Sequence, residues 1–142
     1  MASAQQILDY CKSLSSSGLK QYGKKQYRTI LNFLVNKGVN SKDADYLLLE
    51  SILVCVALDS EFERGEWEFV KYIFDAPEYA FSEIYDLAMD LRTIKTKRDM
   101  SKFCHTLPYS ERVAYISLCI ATMVSDGVFT YEDLDFLEDC LL

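Results

Sequence analysis

Proline and glycine are scarce in this chain of 142 residues, two and five in number. A fold that reverses direction every few residues needs many more such breakers, so a many-stranded β architecture is disfavoured. Long apolar runs are missing as well. The best candidate, Tyr46–Leu58, is interrupted by Glu50 and Ser51 and closed by Asp59, short of the roughly 20 residues that span a bilayer. Direct membrane insertion is therefore not expected. The opening residues, "MASAQQILDYCKSLSSS", lack a basic stretch followed by an unbroken apolar one, so no export signal is read and a cytoplasmic location is expected.

Histidine occurs once, as His105 in "KFCHTLPYS". Without a second histidine no zinc site of ordinary composition can form, and the adjacent Cys104 and His105 do not share a helix face. A helix-end histidine, meeting the dipole or solvent, is expected instead. The five cysteines, Cys11, Cys55, Cys104, Cys119 and Cys140, form no C-x-x-C pair, and an odd number cannot close a complete disulfide framework. They are read as reduced core thiols, Cys55 and Cys119 lying inside apolar segments. Nucleophilic catalysis needs a base and an orienting group beside the nucleophile, and the single histidine lies in no catalytic signature. Nor does the sequence indicate an apolar cleft that would raise the pKa of one carboxylate above another. The chain is expected not to be an enzyme.

What is present is ample material for one core: 50% of the residues are hydrophobic and 13% aromatic. Apolar residues recur at intervals of three and four, which is the period of an α-helix. The expected fold is all-α, a compact single-domain helical bundle of about seven to eight helices over residues 1–142. The segments run near Ala4–Ser13, Lys24–Lys37, Lys42–Leu58, Glu63–Phe74, Glu78–Arg92, Lys97–His105, Glu111–Ser125 and Tyr131–Leu142. "ILVCVAL" is rich in β-branched residues, but no turn signal interrupts Ser41 to Asp59, and so long a run suits a buried helix better than a strand.

The chain also repeats itself. A shift of 67 residues lays Tyr46–Asp75 on Val113–Leu142 without a gap, pairing Asp59 with Asp126, Phe62 with Phe129, Glu66 with Asp133 and Val70 with Leu137. Residues 41–75 and 108–142 are thus expected to be two copies of an αα-hairpin, each with a buried helix, an acidic corner and an amphipathic helix.

The second corner, "VSDGVFTYEDLDFLE", has the look of a calcium loop. An EF-hand needs oxygen ligands at positions 1, 3, 5 and 12 with glycine at 6. Setting Asp126 at position 5 puts Gly127 at 6 and Asp133 at 12, but Thr122 and Val124 fall at 1 and 3. In the first copy Cys55 and Ala57 take those places, so neither corner is an EF-hand. Two accounts of the shared pattern D-[SG]-x-F-x-x-x-[ED] stand side by side. In one, Gly127 ends a helix, Phe62 and Phe129 plug into the core, and Thr130 caps the next helix with Asp133 as the capping-box carboxylate. In the other, the crowded carboxylates hold a weakly bound divalent cation, for which hard oxygens suit calcium, magnesium or manganese.

The twice-repeated corner, in "VALDSEFERGEWEFVKYIF" and "TMVSDGVFTYEDLDFLEDCL", resembles the TerB-like domains of the tellurite-resistance family. The resemblance covers roughly Ser41 to Leu142, and it departs from the family's A-D-G at Leu58-Asp59-Ser60 and Ser125-Asp126-Gly127. It implies a non-catalytic helical bundle in a bacterial stress-response system, with membrane-associated protein partners and a response to metal ions. Carried over, the metal-ligand positions are Asp59, Glu66, Asp126 and Asp133.

Charge is uneven. Residues 1–40 carry a net +5 and the remainder −12, giving −7 overall. Such a dipolar distribution favours oriented docking. The basic runs "LKQYGKKQYR" and "RTIKTKRDMSK" interleave tyrosines or threonines, but they match no nucleic-acid motif in a chain of pI near 4.7. A protein partner is expected and nucleic acid is not. Two functions follow: a partner-binding module that responds to a divalent cation, or a helical adaptor whose acidic corners are caps alone.

Overall fold

A computed structural model describes residues 3–57, 64–74, 97–126 and 130–142, together with residues 82, 83, 86 and 90. Among the described residues there are seven helices and no strand: α1 (Ala4–Lys12), α2 (Ser16–Asn36), α3 (Ser41–Ala57), α4 (Arg64–Phe74), α5 (Lys97–His105), α6 (Tyr109–Asp126) and α7 (Tyr131–Leu141). The expected all-α bundle is what the chain forms. None of these helices is long and apolar enough to cross a membrane. The expected helix Glu78–Arg92 lies mostly outside the described residues. Its described members, Ser82, Glu83, Asp86 and Asp90, are helical and exposed.

Local chemistry sets the helix ends. Ser3 opens α1 with a capping box, its hydroxyl accepting from Gln6 N while Gln6 accepts from Ser3 N. Asn40 accepts from Lys42 N at 2.9 Å at the start of α3. α2 ends in a Schellman turn: Gly38 takes φ +95°, its N–H reaches Val35 O at 3.0 Å, and Val39 N reaches Leu34 O at 3.1 Å.

One boundary differs from expectation. α2 begins at Ser16, not Lys24, because Ser15 caps it by accepting from Gly18 N at 3.0 Å. Gly18 and Gly23, which fall between the expected segments Ala4–Ser13 and Lys24–Lys37, lie inside the helix. At Gly23 the glycine answers a packing demand, since a Cβ there would meet Phe69 Cζ at 2.6 Å.

α6 is the central element. Every residue from Ala114 to Met123 is buried, and the helix touches all six of its described neighbours. Its contact with α2 is the most extensive. α3 and α6 meet in the core, as expected of the two apolar segments, with Leu53 and Ile120 both fully buried. Edge-on aromatic pairs tie the periphery to this core: Tyr27 with Phe74 at 4.8 Å, and Phe103 with Tyr115 at 5.2 Å between ring centroids.

Candidate functional site

The second acidic corner is built by the end of α6 and the start of α7. Asp126 is the last residue of α6, and its side chain, like residues Gly127–Phe129, lies outside the described residues. Thr130 is the N-cap of α7, in an extended conformation, with its hydroxyl accepting from Asp133 N at 3.1 Å. The Asp133 carboxylate closes the box by accepting from Thr130 N through Oδ2 at 3.2 Å. Asp133 is only 5% exposed. A carboxylate so placed faces the positive end of the helix dipole and satisfies a donor that would otherwise lack a partner. The capping account of Thr130 and Asp133 is therefore what the chain forms at this position. Thr122, at the position where a calcium loop would need a ligand, is buried and donates to Leu118 O at 2.8 Å.

Of the other expected metal ligands, Asp59 lies outside the described residues, and Glu66 is on α4 with its side chain outside them. Glu132 and Asp135 are exposed along α7. Among the described residues no three His, Cys, Asp or Glu side chains gather as a metal-ligand set. Of the four expected ligands, Asp133 alone has a described side chain, and it is committed to a cap.

His105 sits exposed at the end of α5, where its Nδ1–H donates to Ser101 O at 2.7 Å. This is the helix-end histidine expected from its position.

The basic segment of α2 meets α4 along one edge. Gln21, Lys24 and Arg28 recur at helical spacing and, with Tyr72, line a shallow depression of about 320 Å³. Lys24 Nζ donates to Tyr72 O at 3.1 Å and stands 5.6 Å from the centre of the Tyr72 ring. Arg28 is exposed, and Tyr72 is 43% exposed. The depression therefore presents two cationic side chains beside an accessible aromatic ring. The run "LKQYGKKQYR" signals its cationic half, whereas Tyr72 arrives from 48 residues away along the chain with no local signal.

A larger cavity of about 560 Å³ opens between the α1–α2 connection, α4 and the end of α6. Cys11 lies on its wall, fully buried, with burial pushing its thiol up from 9.0 to about 12. That thiol stays protonated at neutral pH and is a poor nucleophile.

No protein-family model, curated protein or solved structure matches the chain.

Proposed function

We propose that this chain is a non-catalytic helical adaptor of the TerB-like type, which docks an acidic segment of a protein partner on the α2–α4 edge. One observation carries the docking surface: Lys24 and Arg28, one turn apart, share a shallow depression with the exposed ring of Tyr72. A carboxylate-rich segment finds there the exposed guanidinium of Arg28 for its charge, with the Lys24 ammonium adding to the local positive field, and an aromatic face for its apolar atoms. The acidic body of the molecule repels the same segment elsewhere, so the partner is steered to this edge.

The TerB-like element of the proposal draws support from the repeat. A shift of 67 residues carries α4, Arg64–Phe74, onto α7, Tyr131–Leu141, end for end. The same shift lays buried Leu48, Leu49, Ile52 and Leu53 on buried Tyr115, Ile116, Cys119 and Ile120. The setting that goes with the type is a bacterial stress-response system with a membrane-associated partner. Of the two functional readings, the adaptor with capped corners is favoured over the cation-responsive module by the Thr130–Asp133 box.

Titration of the protein with a labelled glutamate-rich peptide, followed by fluorescence anisotropy and by chemical-shift mapping, tests the docking surface. Binding is expected at low salt, with shifts centred on Gln21, Lys24, Arg28 and Tyr72. It should weaken steeply towards physiological salt, where charges are screened beyond about 8 Å. The double variant Lys24→Glu/Arg28→Glu should lose it, while Lys102→Glu, at an exposed position of α5, should not. Salt-independent binding, or full affinity in the double variant, would remove this edge from the function. Binding to phosphatidylserine vesicles without binding to the peptide would replace the protein partner by a membrane surface.

A further inference from the structure

One helical turn back from the docking edge, along both α2 and α4, lies the cavity of about 560 Å³. Lys20 and Glu68 line it, where Lys24 and Tyr72 line the depression, and the two sites share no lining residue. Its volume falls in the range of about 300–1,000 Å³ that holds small organic ligands.

The lining is two-sided. Leu19 and Phe69 are buried in the core, and Leu14 and Val124 are partly buried against it, so one side is apolar. The protonated Cys11 thiol continues that wall as a small hydrophobe. Ser125 spends its hydroxyl proton on Thr122 O and adds no donor there. The other side carries the exposed Lys12 and the partly buried Lys20. Among the described residues neither lysine is tied to a carboxylate, so both charges are open to a ligand. α2 starts at Ser16 on the same margin, and the positive end of its dipole adds to their field. The exposed Glu68 subtracts from it, leaving two cations against one carboxylate.

We propose that this cavity binds a medium-chain fatty acid, with the acyl chain on Leu14, Leu19, Phe69 and Val124 and the carboxylate at Lys12 and Lys20.

Burial of the alkyl chain drives the association and grows with every methylene covered. The lysines then select the sign of the head, and Glu68 limits its charge. A carboxylate brings one negative charge, whereas a phosphate monoester brings up to two, and Glu68 repels the second. A cationic head meets two like charges and is disfavoured. The assignment is independent of the docking edge, since it uses none of that surface.

Calorimetric titration of the full chain with dodecanoate, below its micelle concentration and at physiological salt, tests the site, and chemical-shift mapping locates it. One equivalent is expected to bind, with shifts centred on Leu14, Leu19, Phe69 and Val124. Octanoate should bind more weakly, by about threefold for each methylene removed. Dodecyl phosphate and dodecyltrimethylammonium carry the same chain, and dodecanoate should bind more tightly than either. The double variant Lys12→Gln/Lys20→Gln should lose the preference for a carboxylate over the cationic head. Ser16→Trp, at an exposed position on the margin, should block entry of every chain. Circular dichroism checks that both variants fold, and the wild-type map stands independently of them. Absence of saturable dodecanoate binding, shifts spread over the surface, equal binding of the cationic amphiphile, or full affinity in folded Ser16→Trp would overturn the inference. Tighter binding of dodecyl phosphate would overturn the assignment of a carboxylate head.

Discussion

Gly23 of α2 lies directly against the ring of Phe69 of α4: a Cβ on Gly23 would stand 2.6 Å from Phe69 Cζ and 2.9 Å from Ile73 Cδ1. Both neighbours are fully buried or nearly so, and have little room to retreat. In an exposed helix Gly→Ala is stabilising by about 0.5–1 kcal/mol. Here overpacking costs about 1–3 kcal/mol and wins. Gly23→Ala should lower the urea midpoint, with a net loss on the order of 1–2 kcal/mol. A variant as stable as the parent or more so would mean that α2 and α4 do not approach this closely.

The Thr130–Asp133 box predicts the behaviour of the acidic corner. Thr130→Ala should destabilise the chain by about 0.5–2 kcal/mol, read from denaturant unfolding, through loss of the N-cap acceptor. Asp133→Ala should be similarly damaging, because it removes the reciprocal bond to Thr130 N from a buried position. Calcium, magnesium or manganese should leave the melting temperature of the parent protein unchanged. A ligand that binds only the native state raises it by mass action. A metal-dependent rise that Asp126→Asn and Asp133→Asn each abolish would restore the cation reading.

Cys11 gives stability a defined alkaline limit. Its thiol ionises near 9.0 in the unfolded chain and at about 12 when folded. Between those values the unfolded state releases a proton that the folded state keeps, so stability present below pH 9.0 is lost as pH rises towards 12. Tyr22, whose pKa is also raised by burial, acts in the same direction. The fall in urea midpoint between about pH 8 and pH 10.5 should be steeper in the parent than in Cys11→Ala. Equal slopes would show that Cys11 ionises normally in the folded protein.

Much of the secondary structure was legible in the sequence. Lys97–His105 was placed to the residue, and the ends of α1, α3, α4, α6 and α7 to within one or two, where those ends fall among the described residues. The failure at α2 has a clear cause. Three serines and two glycines fall between the expected segments Ala4–Ser13 and Lys24–Lys37, and the cost of Gly23 in a helix is offset by a close approach that only α4 provides.

Helix periodicity and capping are local matters, since the hydrogen bonds run between residues three or four apart and the signals lie in one short window. Hence the sequence by itself determined that the described segments are helical and that the central one is buried, and it offered the Thr130–Asp133 cap as one of two readings of the acidic corner. Tertiary structure decided which faces meet. Tyr72 beside Lys24, Gly23 beneath Phe69, and Arg112 on the Leu141 carbonyl each join residues from separate helices. Such pairings follow from packing all the apolar faces around α6 at once, and no single window of sequence encodes that arrangement.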